Sequence, residues 1–254
     1  MSIAKEKIYD QDGIRAFCVS HDVFNVPSNM LTVHFDRPRL AVSGLDGAHQ
    51  NICSVANCHT PKAIWPVLHE TSTSWRNYAN NCLKACDLEA DCSLTLLTGV
   101  NMRELAFAEE KEGEVHVRVW ATADPNHNAI SAGLDSADCY LPSVTRNKVG
   151  TINIIIVYNQ NLSQASLISA FIIATEAKSN ILRTMDITSA YTKGLPATGS
   201  GTDQIITVSG PVDGAEPITC YGGHTLLGHL TAKATYKAVK QSLEKSFAVW
   251  GKRA

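Results

Sequence analysis

Gly150-Thr-Ile-Asn-Ile-Ile-Ile-Val-Tyr158, followed by the apolar stretch 163–185 and then Asp203-Gln-Ile-Ile-Thr-Val-Ser209, is the run whose reading decides the fold. In its first piece Ile152, Ile154, Ile155, Ile156 and Val157 are nearly continuous, which is the pattern of a strand covered on both faces; Asn153 is the one polar interruption. In the second, Leu167, Phe171, Ala174, Leu182 and Met185 recur at helical spacing behind Ser163, a good cap. The third is another inner strand. Strand, helix and strand make a parallel crossover, so the sequence predicts an α/β fold, with α+β the neighbouring class: a mixed central sheet covered by a few long helices in a single domain over residues 1–254.

Upstream, residues 14–20 and 30–35 alternate as paired strands around the turn-prone Asn25-Val-Pro-Ser-Asn29, and Arg37-Pro-Arg39 is expected to break the second strand. Shorter strands are expected at 40–44, 52–57 and 94–98. Residues 115–122 alternate cleanly, the mark of a strand with one solvated face, and Glu109-Glu-Lys-Glu-Gly-Glu114 before them reads as a solvated hairpin tip. Helices are predicted over 74–88 and 225–250, with residues 136–148 as a polar connection. In the last helix His229 shares an apolar stripe with Ala232, Tyr236, Val239, Leu243 and Phe247, which reads as a core histidine.

With 254 residues, of which 44% are hydrophobic, the chain can bury a full core. A net charge of −2 and no basic block argue against nucleic acid or an anionic membrane as partner. A small molecule fits better. The residues after Met1 are already charged and no run reaches the roughly 18 apolar residues of a membrane span, so a cytoplasmic protein is expected. The oligomeric state is left open, a homo-oligomer included. Eight cysteines without a secretory signal are expected to be reduced. Cys53-x4-Cys58-His59 and Cys82-x3-Cys86-x5-Cys92 carry zinc-ligand types, but none of these gaps is the tight two-residue spacing of a structural site, so no metal is expected and the thiols read as small buried apolar groups.

The chemistry-bearing residues cluster downstream. Dinucleotide, nucleoside-triphosphate, zincin and serine-elbow motifs are all missing. What remains is a pair of carboxylates, Glu176 and Asp203, with His224 just before the last helix. Such a set suits hydrolysis of an acyl bond. On helix 163–185, Lys178 falls in the apolar stripe and Glu176 on the opposite face, so the two cannot reach one substrate atom from a regular helix.

Four motifs stand in a telling order: Gly150-Thr-Ile-Asn-Ile-Ile155, Ala174-Thr-Glu-Ala-Lys178, Ala197-Thr-Gly-Ser-Gly-Thr-Asp203 and Gly223-His-Thr-Leu-Leu-Gly228. In them the chain resembles the adenosylcobinamide amidohydrolase family, most specifically from Gly150 to Val239. The resemblance implies hydrolysis of the amide between the corrinoid's propionyl side chain and aminopropanol, giving adenosylcobyric acid for cobamide salvage. The corrinoid is then a substrate and no cofactor is implied. In that setting Glu176 or Asp203 is expected as base, with water attacking directly. His224 is expected to pass a proton to the departing amine, and Thr202 with nearby backbone amides to hold the oxyanion. Asn128 and Asn153 are expected at the rim of the corrin cleft, and Lys178, Ser200, Gly201 and Thr225 as further substrate contacts. Two other readings stand beside this one: a corrinoid-binding protein without catalysis, and a cysteine-ligated zinc amidase.

Overall fold

The computed structural model describes residues 4–68, 74–136 and 150–251. The strands are β1 (Ala4–Gln11), β2 (Ile14–Val23), β3 (Val26–Ser43), β4 (Gly47–His59), β5 (Ser93–Thr98), β6 (Ala106–Glu112), β7 (Val115–Asp124), β8 (Ala129–Ile130), β9 (Thr151–Tyr158), β10 (Gly199–Ser200) and β11 (Gln204–Val208). The helices are the single turn α1 (Trp65–Leu68), then α2 (Ser74–Ala85), α3 (Gln164–Thr184) and α4 (Leu226–Trp250). Most of the connection read at 136–148, together with Cys139, lies outside the described residues.

Nine strands form one mixed sheet, β1-β2-β3-β11-β9-β7-β6, with β4 and β5 continuing from β3. The parallel pairs are β9 with β11 and β4 with β5. The predicted crossover is therefore present: β9 leads through α3 into β11, with Asn153 opposite Gln204 and Val157 opposite Val208. Every residue of β9 is buried, because Ile152, Ile154 and Ile156 point at α3 and α4 while Ile155 and Val157 point the other way. The sheet curls so that its two halves face each other. Ile155, Val157, Ile206 and Trp120 from one half meet Leu31, Val33, Val55 and Leu96 from the other. Helices cover both outer faces, α3 and α4 on β7 and β9, and α2 on β2, β3 and β4. By length and composition α3 could cross a membrane, yet half of its most apolar window is buried within the protein and it packs on the sheet.

Several expectations are corrected by this arrangement. Arg37-Pro38-Arg39 does not end its strand. β3 runs through it as an 18-residue strand, because the register with β4 shifts between His34, Arg39 and Ala41, and an irregular position tolerates a missing N–H. β7 alternates but is buried from Val117 to Ala123 on both faces, since the curled half-sheet covers the face that carries Arg118 and Trp120. The acidic run is no solvated tip: β6 extends to Glu112, Glu110 is buried against Lys233 and Lys237, and Glu109 pairs with the fully buried Arg118. Only Gly113 and Glu114 form the turn. β1, charged and mostly exposed, is an edge strand with no apolar pattern to announce it. Of the cysteines, Cys58 and Cys82 are buried beneath α2 beside Met30 as expected, whereas Cys220 is exposed and Cys53 and Cys92 are half-buried. Among the described residues no three His, Cys, Asp or Glu side chains are placed to hold a metal ion.

Two histidines make stability depend on pH. Burial lowers His34 and His59 from 6.5 to about 4. Between those values the native rings stay neutral while the unfolded ones take up protons, so stability present at neutral pH is lost as pH falls from about 6.5 toward 4. Melting temperature is expected to drop over this window, and a His34→Gln/His59→Gln double variant to flatten the drop. An equally steep profile in that variant would assign the acid sensitivity elsewhere.

Candidate functional site

Four segments converge where β9 and β11 begin. The centre is Asp203, whose two carboxylate oxygens accept four hydrogen bonds. Oδ2 accepts from Lys178 Nζ at 2.6 Å and from the backbone N–H of Ser200 at 2.9 Å. Oδ1 accepts from Ser200 Oγ at 2.5 Å and from the N–H of Ile152 at 2.9 Å. Lys178 and Asp203 are both largely buried, with side chains 8% and 13% exposed. In water such a pair contributes little; here each charge depends on the other, because an unpaired charge at this depth costs several kcal/mol. Gly199 lies against them: a Cβ there would fall 2.5 Å from Asp203 Oδ2 and 2.7 Å from Lys178 Nζ, so a side chain at this position would push the pair out of place.

Around this clamp the polar side chains are committed to the protein itself. Asn128 donates to Gly150 O at 3.0 Å and accepts from Tyr191 OH at 2.9 Å. Thr202 Oγ1 donates to Gly150 O at 3.0 Å, and Thr151 Oγ1 to Thr202 O at 2.8 Å. Asn153, fully buried, ties the two half-sheets together through Asn57 Oδ1 at 2.9 Å and Leu97 O at 2.8 Å.

On the outer side of the same segment, α3 and α4 diverge over an open groove of about 660 Å³. Its floor is Pro196, Ala197 and Thr198, the last tied to α3 by a 2.8 Å bond from Ser179 Oγ to Thr198 O. Glu176, Asn180 and Arg183 of α3 line one wall and His229 of α4 the other. Both Glu176 and His229 are exposed, and Ile173, Ala177 and Ala232 add apolar surface between them. Gly223 closes one end. It belongs to a turn fixed from beneath by Tyr221, whose hydroxyl meets Thr231 Oγ1 at 2.6 Å and Tyr158 OH at 2.8 Å. Thr225 caps α4, accepting from Gly228 N at 3.1 Å, and Gly228 packs so closely on Gly222 O that a side chain would displace the turn.

A sequence profile described as adenosylcobinamide amidohydrolase matches residues 17–249. The chain belongs to the adenosylcobinamide amidohydrolase family. Two relatives are similar over most of the chain. An uncharacterized protein of Methanocaldococcus jannaschii is 31% identical over 256 residues, covering 94% of this chain and 97% of that protein. The adenosylcobinamide amidohydrolase of Methanosarcina mazei is 30% identical over 209 residues, 80% of this chain and 88% of that one. Among solved structures, a Pyrococcus horikoshii protein aligns with a TM-score of 0.45 at 12% identity, over 92% of this chain and 84% of that one. A Burkholderia beta-aminopeptidase aligns with a TM-score of 0.43 at 11% identity, over 92% and 85%.

For a member of the adenosylcobinamide amidohydrolase family, the structure sorts the residues named from sequence into two groups. It brings Asp203, Lys178, Ser200, Gly201, Thr202, Asn128 and Asn153 together and sets Glu176, His224 and Thr225 apart, on the α3–α4 side. Asp203 is no free base, since all its acceptor positions are filled. Lys178 and Ser200 are held by Asp203, and Asn128 and Asn153 are buried at 4% and 0% exposure, so none of the four forms a solvent-facing rim. The Thr202 hydroxyl donates to Gly150 O and the Thr225 hydroxyl to Gly222 O, which removes both as free donors. His224 is exposed beside Gly223, outside the lining of the groove. His229, read as a core residue, faces the groove instead. Its signal was available in the apolar side chains of α4: Leu227, Leu230, Ala234, Ala238 and Leu243 recur at helical spacing and form the buried face, which turns His229 outward.

Proposed function

We propose that this chain hydrolyses the amide joining the propionyl side chain of adenosylcobinamide to aminopropanol, giving adenosylcobyric acid, and so serves corrinoid salvage. The observation that carries this reading is the α3–α4 groove, with a carboxylate and an imidazole on opposing walls in a chain of this family. Hydrolysis of an unactivated amide needs a base for the attacking water and an acid for the leaving nitrogen. Glu176 removes a proton from water as its oxygen bonds to the amide carbon. His229 delivers a proton to the nitrogen as the C–N bond breaks, and His224 stands at the rim. Asn180 and Ser179 suit the carboxamides around the corrin edge, and Ile173, Ala177 and Pro196 suit its apolar periphery. The Lys178–Asp203 clamp keeps the floor of the groove in place.

One observation favours a second route through the same family chemistry. Ser200 Oγ sits 2.5 Å from Asp203 Oδ1, the setting of a hydroxyl whose proton has an acceptor ready. In that route Ser200 Oγ passes its proton to Asp203 as it bonds to the carbonyl carbon, the C–N bond breaks and aminopropanol leaves carrying that proton, and water then hydrolyses the ester to adenosylcobyric acid and free Ser200.

Incubation with adenosylcobinamide is expected to release aminopropanol and adenosylcobyric acid in equal amounts. Tight corrinoid binding with no aminopropanol would instead make this a binding protein, and turnover abolished by chelators with stoichiometric zinc would make it a zinc amidase.

A further inference from the structure

At the other end of β9, about 20 Å from the Asp203 clamp by strand length, lies a separate cavity. It measures about 430 Å³ and is lined by Arg39, Gln50, Asn51, Ser163, Gly214 and Glu216 among others. Arg39 is 3% exposed, turned inward where β3 is irregular, with its guanidinium 4.7 Å from the Phe35 ring centroid. Its protein hydrogen bond is a long one, from Nη1 to Tyr158 O at 3.3 Å, and its buried Nε has no partner among the described residues.

The nearby acids are occupied elsewhere. Asp213 pairs with Arg37 at 2.8 Å, and Glu109 and Asp12 pair with Arg118. Asp36 and Asp213 reach Arg39 only as longer-range charges, which Arg118 opposes. Burial lowers Arg39 to about 10, which still leaves it charged at neutral pH. A cation this deep without a bonded counter-ion is costly unless something else supplies the anion. Ser163, the cap of the 21-residue α3, lines the same cavity, so the positive end of a long helix stands at its wall.

We propose that this cavity binds the phosphate group of a small phosphorylated molecule, with Arg39 as counter-ion and the positive end of α3 at its wall. A guanidinium fork beside a helix start matches phosphate geometry. The volume admits a phosphate with a few attached carbons, and Glu216, exposed on the lining, opposes it from the mouth. The site is distinct from the groove, so it stands or falls independently of the amidase activity.

Titration calorimetry and thermal melting with inorganic phosphate and with glycerol 3-phosphate, against chloride at matched ionic strength, test this. Saturable one-to-one binding and a raised melting temperature are expected with both phosphates and not with chloride, the ester binding more tightly. Equal affinities would overturn the ester and leave free phosphate as the ligand. Arg39→Met is expected to lose the phosphate effect. Glu216→Gln, an exposed change that leaves folding intact, is expected to tighten phosphate binding roughly two- to threefold by removing an opposing surface charge. Absence of a saturable phosphate effect in the wild type, or phosphate binding unchanged in Glu216→Gln and in any folded Arg39→Met, overturns the site.

Discussion

Asp203→Asn is expected to lower stability by about 3–5 kcal/mol, because it strands the buried Lys178 ammonium without a counter-ion. For a chain of this size that is a fall in melting temperature of about 6–20 °C. The size of the effect follows from the geometry. Asp203 accepts four hydrogen bonds from three residues on three segments, so its loss also releases the N–H groups of Ile152 and Ser200 and the Ser200 hydroxyl. Lys178→Met removes the other charge and fills the space with an apolar chain, yet leaves a buried carboxylate facing the start of β11. It too is expected to destabilise. The double variant should lose less than the sum of the single losses by about 1–3 kcal/mol, since neither charge then remains alone. Denaturant melts of the four proteins measure this. An Asp203→Asn protein within 1 kcal/mol of the wild type would show that the pair is better hydrated than its burial indicates.

The crossover at the centre of the fold was legible because a strand buried on both faces needs a nearly continuous apolar run, and β9 has one, broken only at Asn153. The Lys178–Asp203 pair was half legible: a lysine inside a helical apolar stripe demands a partner, and the partner lies 25 residues on. The rest was hidden by distance along the chain. Asn153 reads as a polar group at a strand end until Asn57, 96 residues away, is brought onto it by the curl of the sheet. Glu110 reads as solvated until α4 carries Lys233 and Lys237 across it. Proline reads as a break unless the strand is known to be irregular there. His229 was misplaced because it shares a stripe with Tyr236 and Phe247, which are only partly buried, whereas the buried face of α4 runs through Leu227, Leu230, Ala234 and Ala238.

Glu176→Gln is expected to reduce kcat for adenosylcobinamide by at least about 100-fold with little change in melting temperature, the usual scale for losing a general base. The side chain is exposed and makes no ion pair among the described residues, so the substitution removes chemistry without disturbing packing. This separates it from Asp203→Asn, in which activity and stability fall together. Ser200→Ala discriminates between the two routes. If water attacks from the groove, removing a hydroxyl that serves to hold Asp203 costs about 1–2 kcal/mol of stability and less than tenfold in rate. If Ser200 is the nucleophile, the rate collapses and a wild-type enzyme quenched during turnover carries a corrinoid acyl group on Ser200. His229→Ala should share the fate of Glu176→Gln, whereas His224→Ala, outside the lining, should have the smaller effect. Near-normal rates in both Glu176→Gln and His229→Ala would remove the groove as the catalytic site and leave the chemistry with Ser200 and Asp203, which follow the Pro196–Thr198 floor of the groove along the chain.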